Sequence, residues 1–206
     1  MANRRERPFG VILAGGLSRR MGGGDKGLIP LQGQPMLAHV IARLRPQVEE
    51  LALNANGPPE RFEAFGLKVL PDDLPQYPGP LAGVLAGMEW AASRGASHLL
   101  TAAADTPFFP QDLGSRLSKA GDFAIAASRD AEGALWQHPT FGLWPVALRQ
   151  DLRQALLGGL RRLRDWTEAH GAVIVEFEGP SDPFFNVNTP EDLHIAEALA
   201  PSALRR

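Results

Sequence analysis

Short apolar runs alternate with amphipathic segments along the chain up to residue 127. The apolar runs predict strands at 9–13, 51–54, 68–70, 98–103 and 123–127, and helical spacing between them predicts helices at 36–44, 81–93 and 110–119. Short buried strands that alternate with helices are typical of βαβ units. The pattern therefore predicts an α/β protein with a mostly parallel sheet.

The pattern is less regular from residue 134 onward. Residues 134–143 fit either an extended pair or one long strand, 145–157 and 160–169 predict helices, 172–177 predicts a strand, and 190–199 predicts a closing helix capped by Thr189. No composition shift or linker marks a boundary. We therefore expect one domain over residues 1–206, since domains usually run to roughly 100–200 residues.

Composition excludes several classes of protein. The net charge of -2 lacks the basic surplus of a dedicated nucleic-acid binder. No apolar run approaches the roughly 18–20 residues that span a bilayer, and the first residues contain no signal-peptide core. The absence of cysteine excludes disulfides, thiolate metal sites and a cysteine nucleophile. We expect a cytoplasmic protein that binds neither nucleic acid nor a membrane.

The most informative stretch is LAGGLSRRMGGGDKG over residues 13–27, directly after the first predicted strand. Glycines let backbone N–H groups approach a ligand closely and point at phosphate oxygens. Lys26, Arg19 and Arg20 place positive charge beside them. This combination favours a triphosphate site over a merely flexible surface loop.

Two familiar phosphate-binding motifs do not explain this loop. A P-loop needs Gly-Lys followed by Ser or Thr, whereas Lys26 follows Asp25 and precedes Gly27. Glycines 22, 24 and 27 match the spacing of the dinucleotide fingerprint, but they lie far from the strand and no acidic residue follows about 20 positions later. We interpret the fingerprint match as accidental.

Polar residues follow other predicted strands, where open α/β sheets bind ligands. Asn54 ends the second strand and can donate to and accept from a base or ribose, or form only a turn before Gly57. Asp72 follows the third strand; an unpaired carboxylate there can accept from guanine N–H groups, or belong to a solvated turn pair with Asp73. The GPLAG string over 79–83 opens a helix whose free N–H groups can face a ligand.

Asp105 is the strongest catalytic candidate, because it follows an apolar strand and precedes Thr106 and Pro107. A carboxylate there can hold Mg²⁺ against phosphate oxygens, or only cap a helix. Asn186 and Asn188 alternate on one face of an expected strand, although Asn188 can also be a cap. His138 is either structural or helps to position a second substrate. The basic cluster Arg161, Arg162 and Arg164 is either a solvated helix face or a phosphate contact.

These motifs together resemble a known family. Residues 13–27 resemble the signature LAGG…RMGGxDKG of molybdenum cofactor guanylyltransferases, and NVNTP at 186–190, HPT at 138–140 and DTP at 105–107 also match it. The resemblance covers about residues 9–199 and is weakest between 123 and 179. It implies a three-layer Rossmann-like fold, a mostly parallel sheet with helices on both faces, a nucleotide-binding part at about 9–120 and an acceptor-binding part at about 121–200.

The resemblance also implies the reaction: GMP passes from GTP to the terminal phosphate of molybdenum-loaded molybdopterin, and pyrophosphate leaves. Lys26, Asp105 and Arg20 are the implied catalytic residues, and Asp105 is the implied Mg²⁺ ligand. The implied binding residues are Leu13, Ala14, Gly15, Lys26, Asn54, Asp72 and Asp105 for the nucleotide and its metal, and Asn186 and Asn188 on the pterin side. Other cofactor-biosynthesis proteins or an adaptor are implied as partners.

Two alternative functions remain open from the sequence. One is a cytidylyltransferase or sugar-phosphate nucleotidyltransferase on the same scaffold. The other is a non-catalytic nucleotide-binding module. The sequence does not distinguish Arg19 from Arg20 as the phosphate contact, because neighbouring loop residues have no fixed side.

Overall fold

A computed structural model describes residues 7–15, 25–74, 79–160, 162–179 and 182–203. Its strands are β1 (Phe9–Leu13), β2 (Pro30–Leu31), β3 (Gln34–Pro35), β4 (Leu51–Asn54), β5 (Lys68–Leu70), β6 (His98–Ala103), β7 (Ala124–Arg129), β8 (Leu135–Pro145) and β9 (Val173–Glu176). Its α-helices are α1 (Met36–Leu44), α2 (Pro80–Ser93), α3 (Leu113–Ala120), α4 (Arg149–Leu157), α5 (Leu163–Ala169) and α6 (Pro190–Ala203). Short 3₁₀ turns cover Lys26–Leu28, Arg45–Gln47, Pro59–Phe65 and Val146–Leu148.

Seven strands form one sheet in the order β5-β4-β1-β6-β8-β7-β9. β8 pairs antiparallel with β6 and β7, and the other pairs within this sheet are parallel. The prediction of a mostly parallel α/β sheet is therefore confirmed. β2 and β3 form a separate two-stranded hairpin that the sequence did not predict, since each strand contains a proline.

Helices cover both faces of the sheet and make it the middle of three layers. Ile12 of β1 packs with residues of α1 and α3, whereas Val11 and Leu13 pack with residues of α2, α4 and α5. This division follows from the alternation of side chains along a strand. It confirms the expectation of a three-layer Rossmann-like fold with helices on both faces.

Two glycines of α2 face the sheet and let the helix pack closely against it. A Cβ on Gly87 would stand 2.8 Å from Leu99 Cδ2, and a Cβ on Gly83 would stand 2.1 Å from Asn54 Oδ1. A side chain at either position would force the helix or the facing Asn54 or Leu99 side chain to move. The helix therefore begins directly beside the carboxyl end of β4, where ligands bind in this class of sheet.

The C-terminal helix α6 packs against the β2–β3 hairpin rather than against the main sheet. Glu197 accepts a hydrogen bond of 2.9 Å from the Gln32 backbone N–H. As predicted, Thr189 caps this helix: its hydroxyl oxygen accepts from the Asp192 N–H at 3.1 Å. Asp192 Oδ2 in turn accepts from the Thr189 N–H at 2.9 Å, which completes a reciprocal cap.

Several predicted elements differ in detail from the structure. Residues 135–143 belong to one long strand, β8, and the helices expected at 110–119, 145–157 and 160–169 begin at Leu113, Arg149 and Leu163. The prediction of a strand carrying Asn186 and Asn188 is wrong, because the chain at 185–189 forms no strand. Val187 is buried there against Phe108 in a small apolar cluster, and its burial explains the strand-like alternation of the sequence.

No helix among the described residues is both long and apolar enough to cross a membrane.

Candidate active site

The carboxyl ends of the parallel strands β5, β4, β1 and β6 meet at one edge of the sheet, and most of the predicted site residues lie there. The backbone stays paired just past the strands: the Ala14 N–H donates to the Asn54 carbonyl at 2.9 Å, and the Ala104 N–H donates to the Leu13 carbonyl at 3.1 Å. Gly15 follows as an exposed residue, with no described atom within 4 Å of where a Cβ would stand. Leu13–Gly15 thus leaves the sheet between the ends of β4 and β6.

Lys26 lies at the centre of this edge. Its ammonium donates a hydrogen bond of 3.1 Å to Asp105 Oδ2 and a second to Asn188 Oδ1. The Lys26 and Asp105 side chains retain 18% and 24% of their exposure, so the ion pair is partly shielded from water yet reachable by a ligand. Gly27 packs closely against α1, because a Cβ there would come 3.3 Å from Leu37 Cβ. A small recess of about 40 Å³ remains between Leu13, Ala14, Lys26, Gly27, Ala104 and Asp105.

Residues 186–188, which directly precede α6, make further contacts with Lys26, Asp105 and Thr106. The Val187 N–H donates to the Asp105 carbonyl at 2.9 Å. The fully buried Thr106 hydroxyl donates to Asn186 Oδ1 and lies 3.4 Å from Asp105 Oδ1. Asn186 and Asn188 therefore both reach the corner at Asp105, although they do not belong to a strand.

Asn54 and Asp72 form a second polar cluster, at the ends of β4 and β5. Asn54 is buried, and its amide nitrogen donates to the Leu70 carbonyl at 3.0 Å and to Asp72 Oδ1 at 2.9 Å. Asn56 donates to Asp72 Oδ2 at 2.7 Å and accepts from the Asp72 N–H at 2.9 Å. The sequence suggested that the Asp72 carboxylate is unpaired. In the structure, the side-chain amides of Asn54 and Asn56 hold it in place. Each carboxylate oxygen keeps lone-pair capacity for a further donor.

Arg61 connects the lysine loop to the loop after β4. Its guanidinium lies 2.5 Å from Asp25 Oδ2, donates to the Pro58 carbonyl at 2.7 Å and also donates to the Asn56 carbonyl. Asp25 directly precedes Lys26, and Asn56 holds Asp72. One arginine thus ties the two polar clusters together.

A third feature lies beyond Asn186, at the ends of β7, β8 and β9. A cavity of about 950 Å³ opens there, lined among others by Ser128, Trp136, His138, Asp182 and Asn186. His138 stacks on Phe184 with ring centroids 4.5 Å apart, and its Nε2 lies 2.8 Å from Ser128 Oγ. Burial lowers the pKa of His138 below its usual value, and the charge of Asp182 opposes that shift. His138 is therefore held in its neutral form at neutral pH.

Comparison with known proteins shows which protein family has this sequence and fold. Residues 10–173 match the family model of the MobA-like NTP transferase domain. The chain is 51% identical to the molybdenum cofactor guanylyltransferase of Bradyrhizobium sp. (strain ORS 278) over 93% of this chain and 92% of that protein. It is likewise 51% identical to that of Cereibacter sphaeroides, over 94% and 97% of the two chains.

The chain belongs to the molybdenum cofactor guanylyltransferase family. Members of this family are nucleotidyltransferases, so the chain is that of an enzyme. The fold agrees with a solved structure, the molybdopterin-guanine dinucleotide biosynthesis protein A of Archaeoglobus fulgidus. Its TM-score is 0.72, with 23% identity over 94% of this chain and 98% of the other.

Within this guanylyltransferase-family site, the structure brings most of the predicted residues together. Lys26, Asp105, Asn186 and Asn188 form one cluster beside Leu13–Gly15, and Asn54 and Asp72 form the other. Arg19 and Arg20 lie outside the described residues, and so does Arg161. Arg164 pairs with Glu168 at 2.6 Å on α5, and Arg162 directly precedes this helix.

Sequence reasoning missed Arg61, Asn56 and Trp136. Asn56 belongs to the Asn-Ala-Asn string, in which only the first asparagine was singled out. Arg61 lies within the 3₁₀ segment Pro59–Phe65, where no chemical motif marks it. Trp136 carried a usable signal, because it is a tryptophan followed directly by the polar residues Gln137 and His138.

Proposed function

We propose that this protein transfers GMP from GTP to the terminal phosphate of molybdenum-loaded molybdopterin, forming the guanine dinucleotide cofactor and releasing pyrophosphate. The observation that carries the proposal is the contact of 3.1 Å between Lys26 and Asp105 beside the glycine-containing turn after β1. This contact brings together an ammonium group that can bind phosphate and a carboxylate that can bind a metal ion. Family membership supplies the class of reaction.

In the proposed reaction, a phosphate oxygen of the acceptor attacks the α-phosphorus of GTP. The bond from the α-phosphorus to the oxygen that bridges to the β-phosphorus breaks, and its electron pair leaves with pyrophosphate. The nucleophile is already an anion, so no general base is assigned. Positioning and charge neutralisation then supply most of the acceleration.

Lys26 neutralises the charge that accumulates on the leaving pyrophosphate, and the backbone at Gly15 helps to position the triphosphate. Arg20 is proposed to assist in neutralising this charge. The Lys26 ammonium also contacts Asp105 Oδ2, so the proposed phosphate cation and the proposed metal ligand lie side by side.

The residues around Asp105 fit a divalent cation. A cationic group, the Lys26 ammonium, already occupies a position against Asp105 Oδ2, and Asn188 Oδ1 offers a second oxygen at the same point. No group of three or more acidic or histidine ligands occurs among the described residues. Mg²⁺ commonly binds through one or two carboxylates and substrate phosphates, so this sparse donor set suits it. When bound by Asp105, Mg²⁺ would neutralise phosphate charge.

Guanine recognition is assigned to Asp72 and Asn54. The Asp72 carboxylate can accept from guanine N1–H and from the 2-amino group, an edge with two adjacent donors that cytosine lacks. Asn54 and Asn56 hold that carboxylate in a fixed orientation, so little ordering is required when the base binds.

Nucleotide selectivity tests this proposal directly. Melting temperatures are measured with GTP, ATP or CTP in the presence of Mg²⁺, and transfer is followed by release of pyrophosphate that depends on molybdopterin. We expect GTP to raise the melting temperature most and to support the transfer. A shift with CTP and none with GTP would show a cytidylyltransferase, and GTP binding without acceptor-dependent pyrophosphate release would show a binding module.

A further inference from the structure

The segments that supply Lys26, Asp105 and Asn188 pack on one small apolar cluster, separate from the two clusters that cover the faces of the sheet. Its buried members come from the β2–β3 hairpin and the start of α1, from the loop after Asp105, from the segment before α6 and from α6 itself: Leu31, Met36, Phe108, Val187, Ala196 and Ala200. The hairpin directly follows the turn that carries Lys26. The placement of the lysine therefore depends on how α6 packs against the hairpin.

The apolar contact alone defines the position of α6 along its axis only weakly. Ala196 and Ala200 are fully buried in this contact, and their spacing of four residues places them on the same face of the helix. Methyl groups allow a close approach, but they interdigitate with a partner surface less than large side chains do. A directional contact is therefore needed to fix the helix in one axial position.

Gln32 and Glu197 provide this directional contact. Glu197 follows Ala196 on α6, and its Oε1 accepts from the Gln32 backbone N–H at 2.9 Å. The side-chain amide of Gln32 donates to the second carboxylate oxygen of Glu197 and, at 3.2 Å, to its backbone carbonyl. Three hydrogen bonds between one pair of residues define both the distance and the axial position of the helix.

The backbone at Gln32 indicates that its side chain has a task. Gln32 and Gly33 are the two loop residues of the hairpin, with φ angles of 50° and 75°. Among the described residues, Gln32 is the one non-glycine residue with a positive φ. A two-residue turn of this kind favours Asn-Gly or Gly-Gly. Asparagine would suit the backbone better, but its shorter side chain would stop short of the Glu197 carboxylate.

Two contacts close a ring of interactions around Lys26. Gln32 lies six positions after Lys26 in the chain, and Glu197 lies nine positions after Asn188. Asp192 stiffens the second stretch, because its Oδ2 accepts from the Asn188 N–H at 2.9 Å where α6 begins. Asn188 Oδ1 in turn accepts from the Lys26 ammonium. A shift of α6 relative to the hairpin would therefore reach the lysine through Asn188.

We propose that Gln32 and Glu197 are positioning residues for the transfer reaction. They fix α6 against the hairpin, so that Asn188 holds the Lys26 ammonium beside Asp105. They contact none of the reacting groups and act through Asn188. The inference rests on the proposed function, because that function gives the ammonium its role in the reaction.

Kinetics of the full chain test the action through Lys26. Glu197→Ala should lower kcat for pyrophosphate release about fivefold or more and leave the KM for GTP within about threefold, because the transfer step loses a correctly placed cation. Glu197→Gln keeps an oxygen for the Gln32 N–H and should recover most of the rate. Glu191→Ala is the matched control, since Glu191 is an exposed glutamate on the same helix.

A double variant shows whether the pair acts through the lysine. Glu197→Ala should cost little further kcat in a protein that already carries Lys26→Ala, since the two substitutions then remove the same interaction. The full loss in the Lys26→Ala background would overturn the inference.

Gln32→Asn separates positioning from folding. Asparagine favours the turn, so the melting temperature should stay the same or rise. The kcat should nevertheless fall about threefold, because the side-chain hydrogen bonds to Glu197 are lost. If Gln32→Asn is as active as the wild type, the pair serves only the fold and the inference is wrong.

Labelling of amines tests the same inference without the reaction. The chain has three lysines; Lys68 and Lys119 are exposed, whereas the Lys26 side chain retains 18% of its exposure. Brief treatment with acetic anhydride, followed by peptide mass spectrometry, should label Lys26 most slowly. Glu197→Ala should raise the rate at Lys26 about threefold or more and leave the other two rates unchanged.

An unchanged labelling rate at Lys26 in Glu197→Ala would overturn the inference whatever the protein catalyses. Faster labelling of Lys26 in a variant of a protein that does not transfer GMP would support the positioning by Gln32 and Glu197 and overturn the proposed function. The two failures are thus distinguishable.

Discussion

Lys26 Nζ lies 3.1 Å from Asp105 Oδ2, although 79 residues separate them in the chain. The contact exists because β1 and β6 are parallel neighbours, so the loops that follow them start at the same edge of the sheet. Asn188 joins the pair from a third region, just before α6. A lysine, a carboxylate and an amide from three distant segments therefore converge where a phosphate group and its metal are proposed to bind.

Lys26→Ala should lower the turnover number about tenfold or more, because the charge on the leaving pyrophosphate loses its neutralising cation. The measurement is steady-state pyrophosphate release with saturating GTP and acceptor. Lys68→Ala is the control, since Lys68 is an exposed lysine on β5 and should retain normal turnover. A loss of less than about threefold would mean that the loop does not hold the triphosphate.

Asp105→Asn should lower turnover about a hundredfold or more and raise the Mg²⁺ concentration needed for half-maximal rate, because an amide binds Mg²⁺ far more weakly than a carboxylate does. The folded state should persist, since Asn keeps the shape of the side chain. Asp112→Asn, on an exposed position at the start of α3, is the matched control. Unchanged dependence on Mg²⁺ in Asp105→Asn would remove Asp105 from the metal site.

Arg61→Ala should raise the KM for GTP more than it lowers kcat, because Arg61 ties Asp25 beside Lys26 to the loop that holds Asp72. It should also lower the free energy of unfolding by about 1–2 kcal/mol, since Asp25 and two carbonyl groups lose a charged donor. Arg61→Lys should recover only part of the affinity, as one ammonium cannot serve all three acceptors.

The control for Arg61 is Arg94→Ala, which removes an ion pair with Glu50. The Arg94–Glu50 pair is more exposed to solvent than the Arg61–Asp25 pair. Its effect on stability should stay below about 1 kcal/mol. A stability loss in Arg61→Ala with an unchanged KM for GTP would show that Arg61 supports the fold and does not position the loops.

Gly83→Ala should raise the KM for GTP about tenfold, because the added Cβ would stand 2.1 Å from Asn54 Oδ1 and displace the amide that holds Asp72. The double variant with Asn54→Ala separates the causes. If the contact with Asn54 is responsible, Gly83→Ala should add little to the KM of Asn54→Ala. If the effects of the two substitutions on KM are additive, Gly83→Ala acts through another part of α2 and not through Asn54.

The fold and the cluster around Lys26 and Asp105 were predictable from the sequence, because both depend on local sequence patterns. Continuous apolar strands such as Val11–Leu13 must be covered on both faces, and polar residues directly after them must meet at one edge. The direction of β8 was not predictable, since an apolar run has no direction. Asn186 and Asn188 showed a strand-like alternation, which the burial of Val187 alone is enough to produce.

The remaining site residues depend on tertiary contacts with no local signature. Arg61 reaches Asp25 across 36 residues, and the pairing of Asp72 with two asparagines arises from the register of β4 and β5. Trp136 and Asn186 line the same cavity although they are 50 positions apart in the chain. Such relationships require the three-dimensional arrangement.

His138 gives a prediction for the pH dependence of stability. Burial lowers its pKa in the folded state below the ordinary value, so the folded protein binds this proton less readily than the unfolded chain does. The stability from a neutral His138 is therefore fully present above the ordinary pKa of about 6.5 and is lost as the pH falls below it. Denaturant unfolding between about pH 7.5 and 5 measures this loss, and His138→Gln should flatten that part of the curve relative to the wild type. Asp182 is the charged group nearest in the hydrogen-bond chain and opposes the shift, so Asp182→Asn should steepen the same loss. Identical curves for the wild type and His138→Gln would show that His138 titrates alike in both states.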